Sequence, residues 1–385
     1  MVQTQRTAGA DVGDVRTRTG LVPRPGILSI KPYVGGDSTV AGAKTVIKLA
    51  SNESALGPSP AAIAALQASA ARIHRYPDGH CTALRQALAA LHALHPEQIV
   101  CGAGSDELIA LLCRAYAGPG DEVLYTEHGF LMYPIAARTV GATPIAVAET
   151  DLTANVDALL AAVTPRTRLV FLANPNNPTG TYLPVAELER LRRGLPGHVL
   201  LVIDAAYAEY VGRDDYASGE TLVDAGDREG ASVVVTRTFS KIYGLGGLRL
   251  GWAYCPPAVA DVLNRVRNPF NVSSPAQEAG CAALGDQALL ARAQAHNDQW
   301  RAWTTAALRD LGLIVPDSVC NFVLVLFPPE PGRDAPAADG FLRQEGLIAR
   351  RMEAYGLPDA LRITIGLEDE MRAVVAALAR FIGAR

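Results

Sequence analysis

What this chain lacks excludes several classes of protein. None of its six cysteines (Cys81, Cys101, Cys113, Cys255, Cys281 and Cys320) stands in a CxxC pair, which argues against a disulfide framework and against a zinc site. Reduced thiols in a cytoplasmic enzyme fit this scatter better. No apolar run approaches the roughly 18 residues that a membrane span requires. The formal net charge is −4, so no basic footprint points to nucleic acid. No GxxxxGK[ST] occurs, which rules out a P-loop. A GxGxxG pattern begins at Gly244 and Gly246 but ends on Arg249 and leads into a strand, unlike a dinucleotide fingerprint. The first twenty residues have no apolar centre, so a disordered tail is expected there and not a secretory signal; Asp11 and Asp14 argue against a transit peptide. His92 and His95, in "LHALHPEQ", have no cysteine or acidic cluster beside them and are expected at the surface, with no metal.

What remains is an ordinary globular composition. Of 385 residues, 49% are hydrophobic and 19% charged, enough to build a large core or two domains. From about Lys44 onward, apolar β-rich runs ("DEVLYT", "RLVFLA", "HVLLVID", "ASVVVT", "LRLGWAY") alternate with helical patterns ("SPAAIAALQASAA", "ALRQALAALHAL", "SDELIALLCRAY", "VAELERLRRGL", "AVADVLNRVR"). That rhythm predicts an α/β fold with a mostly parallel central sheet between helices. After "NPFNVSSPAQEAG" a helix-rich stretch precedes short strands ("NFVLVLF", "LRITIG") and a last helix, "DEMRAVVAALARFI", which predicts a smaller α+β C-terminal domain. The expected division is 1–45 for a tail and arm, 46–273 for the large domain and 274–385 for the small one, completed by part of the arm. "PPEPGRDAPAAD" reads as a connecting loop.

Open α/β sheets bind ligands at the carboxyl ends of their strands. Five runs deliver polar or aromatic groups there: "NPNNPTG", "AAYAEY" after Asp204, "RTFSK", "EHGFLMY" and "GAGSDEL". In "GAGSDELIALL", Ser105 is the expected N-cap, and the helix start is either an anion site or an ordinary capped terminus. Asp106 and Glu107 would repel a phosphate unless they turn away. Asp204 ends a very apolar strand, where a carboxylate requires a partner. That partner is a helix cap or salt bridge, or else the protonated ring nitrogen of a ligand. Lys241 either grips a phosphate or attacks a carbonyl.

Together these parts fit pyridoxal 5'-phosphate, which needs a Schiff-base lysine, a carboxylate for its ring nitrogen, a phosphate cup, donors to its phenolic oxygen and a ring to stack on. Lys241 would form the imine. Thr238, Ser240 and Arg249 would hold the phosphate, Asn177 and Tyr207 the phenolic oxygen, and Phe130 would stack. Gly244, Gly246 and Gly247 would let the backbone pack close behind the cofactor.

From about Pro23 to its end, the chain resembles the fold-type-I pyridoxal-phosphate-dependent aminotransferases. "NPNNPTG", "DAAYAEY" and "RTFSKIYGLGGLRLG" carry that likeness. "KPYVGGDS", "KLASNESALGPSP", "RYPDGHCTALRQALA", "GAGSDELI" and "YGLPDALRITIG" narrow it to the histidinol-phosphate aminotransferases. The resemblance implies that Lys241 is both Schiff-base residue and proton shuttle, and that Asp204 serves the ring nitrogen. It puts Gly104, Ser105, Asp106, Thr238, Ser240 and Arg249 in the phosphate cup and Tyr33, Asn52, Arg350 and Arg362 on the substrate side. It implies a cytoplasmic homodimer with its active site at the interface. The implied reaction, in L-histidine biosynthesis, moves an amino group between L-histidinol phosphate and 2-oxoglutarate, giving imidazole-acetol phosphate and L-glutamate. The nearest alternatives within the fold are an aromatic-amino-acid aminotransferase and a decarboxylase acting on phosphothreonine. A ligand sensor of a transcription regulator would need a DNA-binding domain ahead of "KLASNE". Two positions depart from the pattern. Leu56 stands where many relatives carry a tyrosine that reaches the neighbouring subunit's cofactor phosphate, and Arg351 stands where a proline is common.

Overall fold

The computed structural model describes residues 22–40, 46–224 and 230–383. The expected tail therefore lies mostly outside the described residues. The larger layer is a seven-stranded sheet in the order Ile99–Gly102, Gly251–Tyr254, Ser232–Thr238, Leu200–Asp204, Thr167–Ala173, Glu122–Thr126, Thr143–Val147. Gly251–Tyr254 runs antiparallel to both neighbours, while the other pairings are parallel. The central strands carry unbroken apolar runs, Leu169 to Ala173, Leu200 to Ile203 and Val233 to Val235, because helices cover both faces. Alternation along them feeds two cores: Val170, Leu172, Leu201, Ile203, Val233 and Val235 face one side, and Leu169, Phe171, Leu200, Val202 and Val234 the other.

The smaller layer is a three-stranded antiparallel sheet of Phe322–Leu326, Leu357–Thr364 and Arg350–Met352. It packs against Gln287–Asp310 and Glu368–Gly383 through Val323, Val325, Leu361, Ile363, Trp300, Met371 and Leu378. Arg362, between Leu361 and Ile363, therefore faces away from that core. The strand Ile47–Lys48 pairs in parallel with Leu347–Ile348, and Leu49 joins the same small core. The next residues, Ala50 to Asn52, lead directly into the site. The helix Ser274–Gly285 buries Ala276, Ala279 and Ala283 in the core of the large sheet, although the expected boundary falls just before it.

Four local expectations need correction. "PPEPGRDAPAAD" is not all loop: Asp334 caps a helix, Ala335–Gln344, by accepting from the Ala337 N–H at 2.9 Å. Proline at the second helical position suits that start, so the residue that suggested a loop is a helix opener. "LRLGWAY" becomes a strand only at Gly251, because Arg249 adopts a left-handed φ of 51°. Ser105 is the first helical residue, and the cap is Gly104, at φ 85° with no side-chain bond. His92 is half-buried, its ring 5.4 Å from that of Trp252, and burial pushes its pKa down to about 4.

Candidate active site

The carboxyl ends of the parallel strands open onto a cavity of about 300 Å³. Every expected site residue except Gly104 lines it: Tyr33, Asn52, Ser105, Asp106, Phe130, Asn177, Asp204, Tyr207, Thr238, Ser240, Lys241, Arg249, Arg350 and Arg362. Topology explains the convergence, because the strands ending at Gly102, Thr126, Ala173, Asp204 and Thr238 run in the same direction.

One end of the cavity is built for an anion. The helix Ser105–Tyr116 begins without a side-chain cap, which leaves its first N–H groups for a ligand and aims its positive dipole end at the site. The left-handed turn at Arg249 brings its guanidinium to the Ser240 hydroxyl (3.2 Å) and to Asp106 Oδ2 (3.0 Å). The Thr238 hydroxyl donates to Ser240 Oγ at 3.0 Å. Asp106 is thus answered by Arg249. Glu107 turns away, accepting from the Ala103 N–H (2.6 Å) and from Asn271 (2.7 Å). Gly104 is not a lining residue but makes room: a Cβ there would lie 2.4 Å from Arg249 Nη2.

The opposite end holds a buried carboxylate. Asp204 is 5% exposed, and its Oδ2 accepts from the Tyr133 hydroxyl at 2.9 Å. Its Oδ1 meets no donor at hydrogen-bond distance among the described residues, although the Ala206 N–H and the Thr236 hydroxyl help to hold its charge. Burial pushes the carboxyl up to about 6, with the Tyr133 bond working against it and the Asp106 charge adding to it. A buried carboxylate oxygen at the cavity wall suits a protonated ring nitrogen.

Between these ends stands Lys241. Its Nζ lies 3.5 Å from the Ser51 carbonyl and 5.6 Å from the Tyr207 ring centre. Burial lowers its pKa to about 8, helped by the positive charges of Arg362 and Arg249 and opposed by Asp106. The amine is therefore partly neutral near pH 8, as a nucleophile must be. Tyr207 Oη accepts from Asn52 Nδ2 at 2.8 Å, which leaves the phenol's own proton to donate. Burial holds that phenol well above its usual range. Asn177 Oδ1 accepts from Arg362, so its amide NH₂ is free to donate in turn.

The part of the cavity expected to meet the substrate is cationic, lined by Arg350 and Arg362. Arg362 is 5% exposed, donates to the Ala50 carbonyl at 2.9 Å and lies 5.3 Å from the Phe322 ring centre. Arg350 bonds the Val34 carbonyl, tying the segment that carries Tyr33 to the cavity mouth. Phe130 meets Tyr33 edge-on at 6.2 Å. Asn52 has a committed side chain: beyond Tyr207 it accepts from the Thr364 hydroxyl at 3.2 Å. Arg351 pairs with Glu353 at 3.1 Å, outside the lining. Leu56 packs half-buried against its own chain's large core. Of the three glycines after Lys241, only Gly244 is tightly packed; a Cβ on it would sit 2.5 Å from the Gly57 carbonyl carbon, whereas Gly246 has ordinary clearance and Gly247 open space.

Sequence reasoning missed Tyr133. The signal was available in "FLMY", since it stands three residues after Phe130, close to one helical turn. Among the described residues, no group of three or more His, Cys, Asp or Glu side chains is placed to hold a metal, and no helix is long and apolar enough to cross a membrane. All six cysteines are free.

Residues 44–378 match the profile of the class I and II aminotransferases. The chain is 62% identical over 366 residues to the histidinol-phosphate aminotransferase of Paramagnetospirillum magneticum, covering 95% of this chain and 100% of that one. It is 59% identical over 360 residues to the enzyme of that name from Rhodospirillum rubrum, covering 94% and 96%. Among solved structures it is similar to the histidinol-phosphate aminotransferase of Sinorhizobium meliloti in complex with pyridoxal-5'-phosphate, with a TM-score of 0.85 and 31% identity over 94% of this chain and 97% of that one. With this span of sequence and this sheet, the chain belongs to the class I and II aminotransferases.

Proposed function

We propose that this chain is a pyridoxal-phosphate-dependent transaminase. In this reading it moves an amino group between L-histidinol phosphate and 2-oxoglutarate in L-histidine biosynthesis. The observation that carries the reading is the alignment of three features in one cavity: the anion cup at Ser105 and Arg249, the lowered-pKa amine of Lys241 and the buried Asp204 Oδ1. Each matches one chemical group of the cofactor. The names of the relatives support the choice of substrate.

The cofactor, when bound, supplies a reactive aldehyde and an electron-withdrawing ring. The chain's residues do the rest. Lys241 would be the Schiff-base residue that holds the cofactor's aldehyde carbon, and once the substrate amine has displaced it, its free amine would take and return a proton at the substrate carbon that bears the amine. Asp204 holds the proton on the ring nitrogen. Tyr207 and Asn177 donate to the phenolic oxygen, and Phe130 covers the ring face. The hydroxyls of Thr238 and Ser240, the Ser105 N–H and Arg249 bind the cofactor phosphate. Arg362 and Arg350, with Tyr33 beside them, bind the substrate's anionic end. Histidinol phosphate brings a phosphate and glutamate brings two carboxylates, and guanidinium forks suit both.

We further propose a homodimer, working in the cytoplasm. Ile73 (70% exposed), Tyr76 (83%) and Phe270 (45%) form an apolar patch in which Tyr76 and Phe270 stack at 4.7 Å, a surface suited to a second copy. The unpaired thiols support a reducing compartment. The deciding experiment compares kcat/KM on histidinol phosphate with that on phenylalanine and tyrosine, each with 2-oxoglutarate. The phosphate ester should win by at least about 100-fold, the scale of one lost charged contact. A preference for the free aromatic amino acids would overturn the substrate assignment.

A further inference from the structure

We propose that Tyr133 is a positioning residue: it orients Asp204 at the ring-nitrogen site and keeps it charged, while bracing the stacking ring of Phe130. The inference rests on the reading of Asp204 given above.

Tyr133 is 0% exposed. Its ring lies parallel to Phe171 on the central sheet, 4.8 Å away with 5° between planes. Phe130 meets it edge-on at 5.9 Å and 88°. Two aromatic contacts thus fix the direction of the hydroxyl, which ends 2.9 Å from Asp204 Oδ2. The two carboxylate oxygens are divided by this bond. Oδ2 is held by the phenol, and Oδ1, which meets no donor among the described residues, is the oxygen that would receive a protonated ring nitrogen.

A hydrogen bond from a neutral donor to a carboxylate is among the stronger kinds, and more so in a dry site. Here it has a specific task. Burial alone favours the protonated acid, and the Tyr133 bond is the foremost influence acting against it. The phenol keeps its own proton, because burial and the Asp204 charge push its pKa far up. No proton is therefore shared away from the carboxylate side. The other titratable groups acting on this pair are Asp106, Tyr207 and Tyr355. Without the bond, Asp204 would be free to rotate and would take up a proton at higher pH.

Tyr133→Phe removes the hydroxyl and keeps both ring contacts. The test measures the dissociation constant for pyridoxal phosphate from pH 5 to 9 in the full-length protein, in wild type, Tyr133→Phe, Asp204→Ala and the double variant. Tyr133→Phe should weaken binding about 10-fold at pH 7, the scale of one hydrogen bond to a charged group. The loss of affinity on acidification should begin at higher pH than in wild type. In the Asp204→Ala background, Tyr133→Phe should add no further loss. An unchanged affinity and pH profile would overturn the proposal, as would an equal loss with and without Asp204, which would mean that the phenol acts on packing alone. If Asp204→Ala itself leaves binding unchanged, it is the prior reading of Asp204 that falls.

Discussion

At the scale of single residues, the site moves the titration of two groups toward neutrality, and each shift can be measured. Lys241 titrates near pH 8, below its usual 10.5, because its charge is buried among positive neighbours. The neutral amine is the attacking form, so the visible band that appears on adding pyridoxal phosphate should form faster as pH rises, with a midpoint near 8; a midpoint above 10 would contradict the burial argument. Lys241→Ala should abolish that band. Asp204 has the opposite displacement, from 3.8 up to about 6. A raised acid stabilises the fold only while protonated: that contribution is full below pH 3.8 and is lost as pH rises through 6. Asp204→Asn should therefore stabilise the cofactor-free chain by up to about 3 kcal/mol at pH 7. The gain should vanish below pH 4 in urea titrations. The same substitution should weaken cofactor binding, an instance of function held at the expense of stability.

At the scale of elements, "RTFSKIYGLGGLRLGW" shows what was legible. A lysine followed by glycines announced a close approach, yet not which glycine makes it. Of the three glycines that directly follow the lysine, only Gly244, at φ 68° and against the Gly57 carbonyl, needs to be glycine, and Gly251 at the end of the stretch is as tightly placed, since a Cβ there would sit 2.5 Å from the Ser105 backbone nitrogen. Gly244→Ala should lower stability by about 2 kcal/mol or more, since it adds a strained left-handed residue to a backbone clash. Gly247→Ala should stay within about 0.5 kcal/mol, as at an open surface site. Parallel urea curves separate the two, and equal midpoints would defeat the argument. The helices and strands were readable because each carries its own periodicity. Tyr133, Asn52 and Gly244 were less so because their roles come from partners far along the chain: Tyr133 meets Asp204 71 positions later, and Asn52 meets Tyr207 155 positions later. The packing of the helix that follows the expected boundary was hard to read for the same reason. The alanine face of Ser274–Gly285 fits either core by composition, and only its packing assigns it to the large one.

For the whole molecule, the exposed stack of Tyr76 and Phe270 makes a prediction about assembly. Sedimentation should give a dimer, and replacing Tyr76 and Phe270 together by serine should raise the dimer dissociation constant at least about 10-fold, since apolar burial drives most association. A wild-type monomer would refute the homodimer. The stretch from Ile47 to Asn52 makes a different demand, one of timing. It is bound at one end to Leu347 and Ile348, and its Ala50 carbonyl accepts from Arg362, 312 positions away. During synthesis at roughly 5 to 20 residues per second, these residues leave the ribosome about 15 to 60 s before their partners do. Through that interval the strand is a sticky, unmatched edge, and a nascent chain should be most prone to capture by chaperones or by its own neighbours. A circular permutant that starts near Pro58 and carries the 46–57 segment at its other end would shorten the wait, and should fold with less aggregation than the natural order.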